Sequence, residues 1–68
     1  EARPVAQLVQ VASQFNSEIY VEIGRKKVNA KSIMGIISLG IGQGQKIKIT
    51  AEGDDSAKAV EEITSLLA

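Results

Sequence analysis

The sequence predicts an α+β fold, and three observations carry that prediction. Stretches in which apolar residues recur at helical spacing alternate with short stretches of strict in–out alternation. The elements run helix, strand, strand, helix, strand, helix. Two of the strands are neighbours in the chain, which favours an antiparallel α+β layer over a doubly wound parallel sheet.

Each element has a local cause. Arg3-Pro4 opens the first helix, because proline is favoured in a first turn where its missing N–H is not needed. Val5, Leu8, Val9 and Ala12 then form an apolar stripe opposite Gln7, Gln10 and Gln14, with Asn16-Ser17 as the expected stop. Glu18–Ile23 alternates, Ile19, Val21 and Ile23 to one side and Glu18, Tyr20 and Glu22 to the other. Gly24-Arg25 turns the chain into a second strand at Lys26–Asn29. A short helix is predicted over residues 32–39 and stops at Gly40. Residues 46–50 alternate again, with Ile47 and Ile49 inward. Gly53-Asp54-Asp55 supplies a turn and an N-cap for a last helix with Val60, Ile63 and Leu67 inward. With no repeat, linker or low-complexity stretch, residues 1–68 are expected to form a single domain.

Composition excludes several kinds of chemistry. The 68 residues include no histidine and no cysteine. The imidazole base, the commonest metal ligand, thiolate metal sites and disulfides are therefore unavailable, and neither a metal nor a cofactor is expected. Eight basic residues balance eight acidic ones, so no bulk field draws in nucleic acid or an anionic membrane. No apolar run approaches the ~20 residues that span a bilayer, and no signal-peptide pattern opens the chain. A small cytoplasmic protein with little catalytic equipment is the expectation.

Three segments could still carry function. In the short helix, Ile33, Met34, Ile36, Ile37, Leu39, Gly40 and Ile41 cover an arc of roughly 220° at ~100° per residue. A core-facing stripe needs little more than ~100°. Part of that surface is therefore expected to face solvent as a partner site, unless the helix is buried on two sides. Ser32 is the natural N-cap of the same helix. Its hydroxyl either only satisfies an orphan N–H or also accepts a phosphate, which the positive helix end and Lys31 would tolerate. Glu1-Ala2-Arg3-Pro4 begins the first helix, where free N–H groups and Arg3 can meet an anion, or where Arg3 is simply solvated. Gly40, Gly42 and Gly44 read G-x-G-x-G after a helix with no G-K-[ST] following, which is not a nucleotide loop. No G-x-x-G is present for a KH-type RNA site.

Along essentially its whole length the chain resembles the HPr family of the phosphoenolpyruvate:sugar phosphotransferase system. The family's His-Ala-Arg-Pro motif stands here as Glu1-Ala2-Arg3-Pro4, and Leu8-Val9-Gln10 with Ala12-Ser13 resembles its first helix. Lys27-Val28-Asn29-Ala30-Lys31-Ser32-Ile33-Met34-Gly35 resembles the segment around its regulatory serine, in the form found in low-GC Gram-positive bacteria. Ser38-Leu39-Gly40 and the expected Ala51-Glu52-Gly53-Asp54 turn fit as well. The resemblance implies an HPr-like open-faced β-sandwich with three helices on one face of an antiparallel sheet, less the family's first edge strand.

Two departures follow from the resemblance. This sequence starts after the segment that matches the family's first strand, so the third strand would present an open edge, which a strand-swapped dimer is one way to cover. Glu1 stands at the phosphohistidine position beside Arg3; some HPr-like regulators, the Crh type, also lack this histidine and keep only the serine. The implied role is a regulatory protein-binding module in carbon catabolite repression rather than a turnover enzyme. Ser32 would be phosphorylated by an HPr kinase/phosphorylase, and Lys31, Ile33, Met34 and Ile37 would meet a catabolite-control repressor and Enzyme I. The alternative is a phosphocarrier for sugar transport. It would relay phosphate from Enzyme I to sugar-specific Enzyme II A components, with Glu1 an engineered or acyl-phosphate-accepting replacement.

Overall fold

The computed structural model describes residues 3–41 and 45–67. Six elements follow one another: α1 (Arg3–Ala12), β1 (Glu18–Ile23), β2 (Lys26–Asn29), α2 (Ile33–Leu39), β3 (Lys48–Glu52) and α3 (Ser56–Leu67). The three strands form an antiparallel sheet in the order β2-β1-β3. The helices and the apolar sheet face enclose the core, an open-faced α+β arrangement as the pattern predicts.

The period-2 pattern of β1 decides which face is buried. Ile19 and Val21 are fully buried, and their cross-strand partners Ala51, Ile49 and Val28 extend the same apolar face. On the other face Glu22 stands opposite both Lys27 and Lys48, a favourable charge arrangement, and the Lys27 ammonium lies 4.6 Å from the Tyr20 ring centroid. Leu8 and Ala12 from α1, Ile36 and Leu39 from α2, and Ala59 and Ile63 from α3 close over the buried face with Phe15 and Ala30. Gly24, first in the two-residue turn between β1 and β2, takes φ 58°, the left-handed conformation that short hairpins require.

Three boundaries differ from expectation. α1 ends at Ala12, not at Asn16-Ser17. The chain leaves it through tighter turns, with Gln14 N–H donating to Val11 and Phe15 N–H to Ala12, so that Phe15 drops into the core. β3 lies two residues later than residues 46–50, although Ile47 and Ile49 are on the expected side. Pairing from Glu18↔Glu52 to Glu22↔Lys48 carries the strand through Ala51 and Glu52. The turn therefore begins only at Gly53, whose φ of 144° breaks the extended run. In α3 the deepest residues are Ala59 and Ile63, with Leu67 packed at the margin of the core; Val60, expected inward, is half-buried outside that cluster, because Ala59, Ile63 and Leu67 share one face at i, i+4 spacing. Among the described residues β3 has no strand on its outer edge. None of the described helices is long and apolar enough to cross a membrane.

Asp55 stands at the N-cap position, its carbonyl accepting the Ala59 N–H at 2.9 Å. Its carboxylate does not turn into its own helix. It accepts the backbone N–H groups of Asn16 (2.9 Å) and Ser17 (3.0 Å) and the Ser17 hydroxyl, which locks the α1–β1 loop to the β3–α3 turn. The Ser17 hydroxyl bond, then the Asn16 amide, hold the Asp55 carboxyl below its ordinary value.

Candidate functional site

The head of α2 is built from the strand before it. At the end of β2, Asn29 accepts the Lys31 N–H on its side-chain Oδ1 at 2.8 Å and the Ser32 N–H on its carbonyl at 3.1 Å, an Asx turn that breaks the strand. Between them the buried Ala30 donates its N–H to Ile19 at 2.8 Å, which anchors the turn to the sheet. Ser32 then takes an extended conformation (φ −100°, ψ 112°), and its Oγ accepts the Gly35 N–H at 3.1 Å. This is the N-cap expected from the sequence. Gly40 closes the helix at φ 68°, its N–H bonded to Ile37.

Seven residues of helix must serve two surfaces. Ile36 and Leu39 are buried and hold α2 on the core. Ile33, Met34 and Ile37 stay 46%, 73% and 56% exposed, so the wide apolar arc is not buried on two sides. Ser32 is exposed at the edge of this patch. An accessible hydroxyl thus stands beside an accessible apolar surface, the first open to modification and the second the kind of surface that meets partners.

Lys31, Ser32, Ile33, Met34 and Ile37 are thus brought together in one short segment. The Lys31 ammonium is already engaged, donating to the Phe15 carbonyl at 2.7 Å and tying the approach to α2 to the end of α1. Nothing in the spacing of Phe15 and Lys31 along the chain announces that bond. Arg3 opens α1, which packs against α2. Glu1 and the Arg3 side chain lie outside the described residues. Among the described residues no group of three or more acidic, histidine or cysteine side chains gathers as a metal site.

Residues 1–68 match the family described as PTS HPr component phosphorylation site. Among solved structures, the HPr dimer from Thermoanaerobacter tengcongensis is 55% identical with a TM-score of 0.94, over 98% of this chain and 77% of that one. The phosphocarrier protein HPr from Bacillus anthracis is 50% identical with a TM-score of 0.94, over 97% of this chain and 79% of that one. Crh, the catabolite repression protein of Bacillus subtilis, is 42% identical with a TM-score of 0.90, over 97% of this chain and 76% of that one. Its crystal structure is of a domain-swapped, intertwined dimer.

Proposed function

Since this chain belongs to the HPr family of the phosphotransferase system, we propose that it is a regulatory protein-binding module switched by phosphorylation of Ser32 in carbon catabolite control. The observation that carries the reading is an exposed Ser32 hydroxyl at the head of a helix that keeps Ile33, Met34 and Ile37 in solvent. A phosphate there adds about two negative charges at pH 7 beside an apolar docking surface, which changes what that surface binds. Glu1 in place of the family's histidine supports regulation over phosphate relay, since a carboxylate lacks the imidazole's nucleophilic nitrogen. The partners in this reading are a cytoplasmic HPr kinase/phosphorylase and a catabolite-control repressor, docked through Met34 and its neighbours.

The 50% identity to a phosphocarrier HPr favours a second reading, in which Glu1, steadied by Arg3, accepts phosphate from Enzyme I as an acyl phosphate and passes it to a sugar-specific component. Intact-mass spectrometry separates the two. Incubation with HPr kinase and ATP should add one phosphate that maps to Ser32 and is absent from Ser32→Ala. A phosphate added by Enzyme I and phosphoenolpyruvate on Glu1, labile to hydroxylamine, would establish the carrier reading instead. The outer edge of β3, which has no strand beside it among the described residues, also suits pairing with a second copy, and sedimentation at rising concentration should then show a dimer; a monomer throughout would remove that part of the proposal.

A further inference from the structure

Glycine at position 35 has no conformational explanation. Gly24, Gly40 and Gly53 adopt positive φ, and Gly35 does not. It lies within α2, where glycine is less favourable than alanine. What sets the position apart is its surroundings. A Cβ there would stand 3.3 Å from Ser32 Oγ and 3.4 Å from Val28 Cβ, while the Gly35 N–H already donates to the same Oγ at 3.1 Å.

We propose that Gly35 is a positioning residue for phosphoryl transfer to Ser32: its N–H holds Oγ in place, and its missing side chain keeps clear the space in which the phosphoryl group forms. The inference rests on reading Ser32 as the phosphate acceptor. In the transfer, Ser32 Oγ attacks the terminal phosphorus of a nucleoside triphosphate. The Oγ–P bond forms as the P–O bond to the departing diphosphate breaks, and the hydroxyl proton passes to a base on the kinase. The Gly35 N–H occupies one face of Oγ, so phosphorus and its three oxygens must fit into the remaining shell. A methyl carbon 3.3 Å from Oγ would take part of that shell, and it would also touch Ser32 Cβ and Val28 Cβ, each at 3.4 Å. The effect falls on the chemical step, because the exposed docking surface of Ile33, Met34 and Ile37 is left intact.

The test compares the full chain with its Gly35→Ala and Ser38→Ala variants, incubated with HPr kinase and ATP at a temperature where circular dichroism shows all three folded. Ser38→Ala is the control: its hydroxyl donates to the Gly35 carbonyl at 2.7 Å, so the change perturbs the same turn without adding an atom beside Oγ. In Gly35→Ala, kcat for Ser32 should fall about tenfold or more, with KM within about twofold of the parent. Ser38→Ala should keep both constants within about twofold. The melting temperature of Gly35→Ala should stay within about 5 °C of the parent. An unchanged kcat in folded Gly35→Ala overturns the proposal. So does a variant that melts far below the parent and is phosphorylated in proportion to its folded fraction, since the glycine would then serve only the packing of α2 on β2. A parent chain that takes no phosphate on Ser32 overturns the Ser32 reading and this inference together.

Discussion

Ser17 and Ser32 each stand where a loop meets a regular element, and the fold treats them in opposite ways. Ser17 is 1% exposed, and both its hydroxyl and its N–H are committed to Asp55, 38 residues away in the chain. Ser32 is exposed, and its Oγ accepts one N–H from three residues ahead. The first serine joins two distant segments, so its worth is structural and its hydroxyl is unavailable. The hydroxyl of the second is bonded only within its own helix, so a change there leaves the core contacts in place. Accessibility of the hydroxyl here goes with how few long-range partners it has.

The strongest way to break this contrast is at Gly53. A Cβ there would lie 2.6 Å from Ser17 Oγ and 2.8 Å from Ser17 Cα, at a φ of 144° that L residues rarely adopt. Gly53→Ala should lose about 3 kcal/mol or more, read from urea unfolding, yet still accept phosphate on Ser32 when folded. Retained stability would mean that the two loops do not depend on their close approach.

Protonating Asp55 attacks the same junction more gently. Hydrogen bonds, led by the one from Ser17, lower its folded pKa below the unfolded value. The stabilisation is therefore complete above the unfolded carboxylate range near ~4 and is lost as pH falls through the folded pKa. Asp55→Asn should lower the urea midpoint at neutral pH and flatten its decline below about pH 4. A parallel pH profile in the variant would assign the acid sensitivity to other carboxylates.

At the second serine the stability effect should be smaller and the functional one larger. Ser32→Ala should cost about 1 kcal/mol through the lost cap while removing the phosphorylation site altogether, as calorimetry and intact mass would show. Smallest of all, Met34→Ala should shift stability by less than about 0.5 kcal/mol, because its side chain is 73% exposed. The same variant should weaken repressor binding in a titration, and unchanged affinity would move the docking surface away from α2.

The sequence read well where the cause is local. Element order, the buried side of β1, the Ser32 cap, the Gly40 stop and the exposed arc of α2 all depend on residues within a turn or two of one another. It read less well where the cause is remote. Alternation alone puts β3 two residues early because its ends are set by pairing with β1, and the depth of Ala59 depends on how closely α3 packs. Gly53-Asp54-Asp55 reads as an ordinary turn and cap, because nothing nearby shows that the Asp55 carboxylate reaches Asn16 and Ser17. The site divides in the same way. Lys31 to Met34 and Ile37 stand out in the chain, whereas the nearness of Val28 to position 35 does not, since it exists only once α2 lies on β2.

By itself, then, the sequence determined the α+β order, the family and the segment that carries the candidate phosphoserine. Periodicity, capping and turn chemistry are written in neighbouring residues. Only the tertiary structure decided which serine is accessible, where Lys31 and Asp55 make their hydrogen bonds, and how near Ser32 and Val28 lie to residue 35. Those outcomes depend on distances between segments that pairing and packing bring together, and no local pattern encodes such distances.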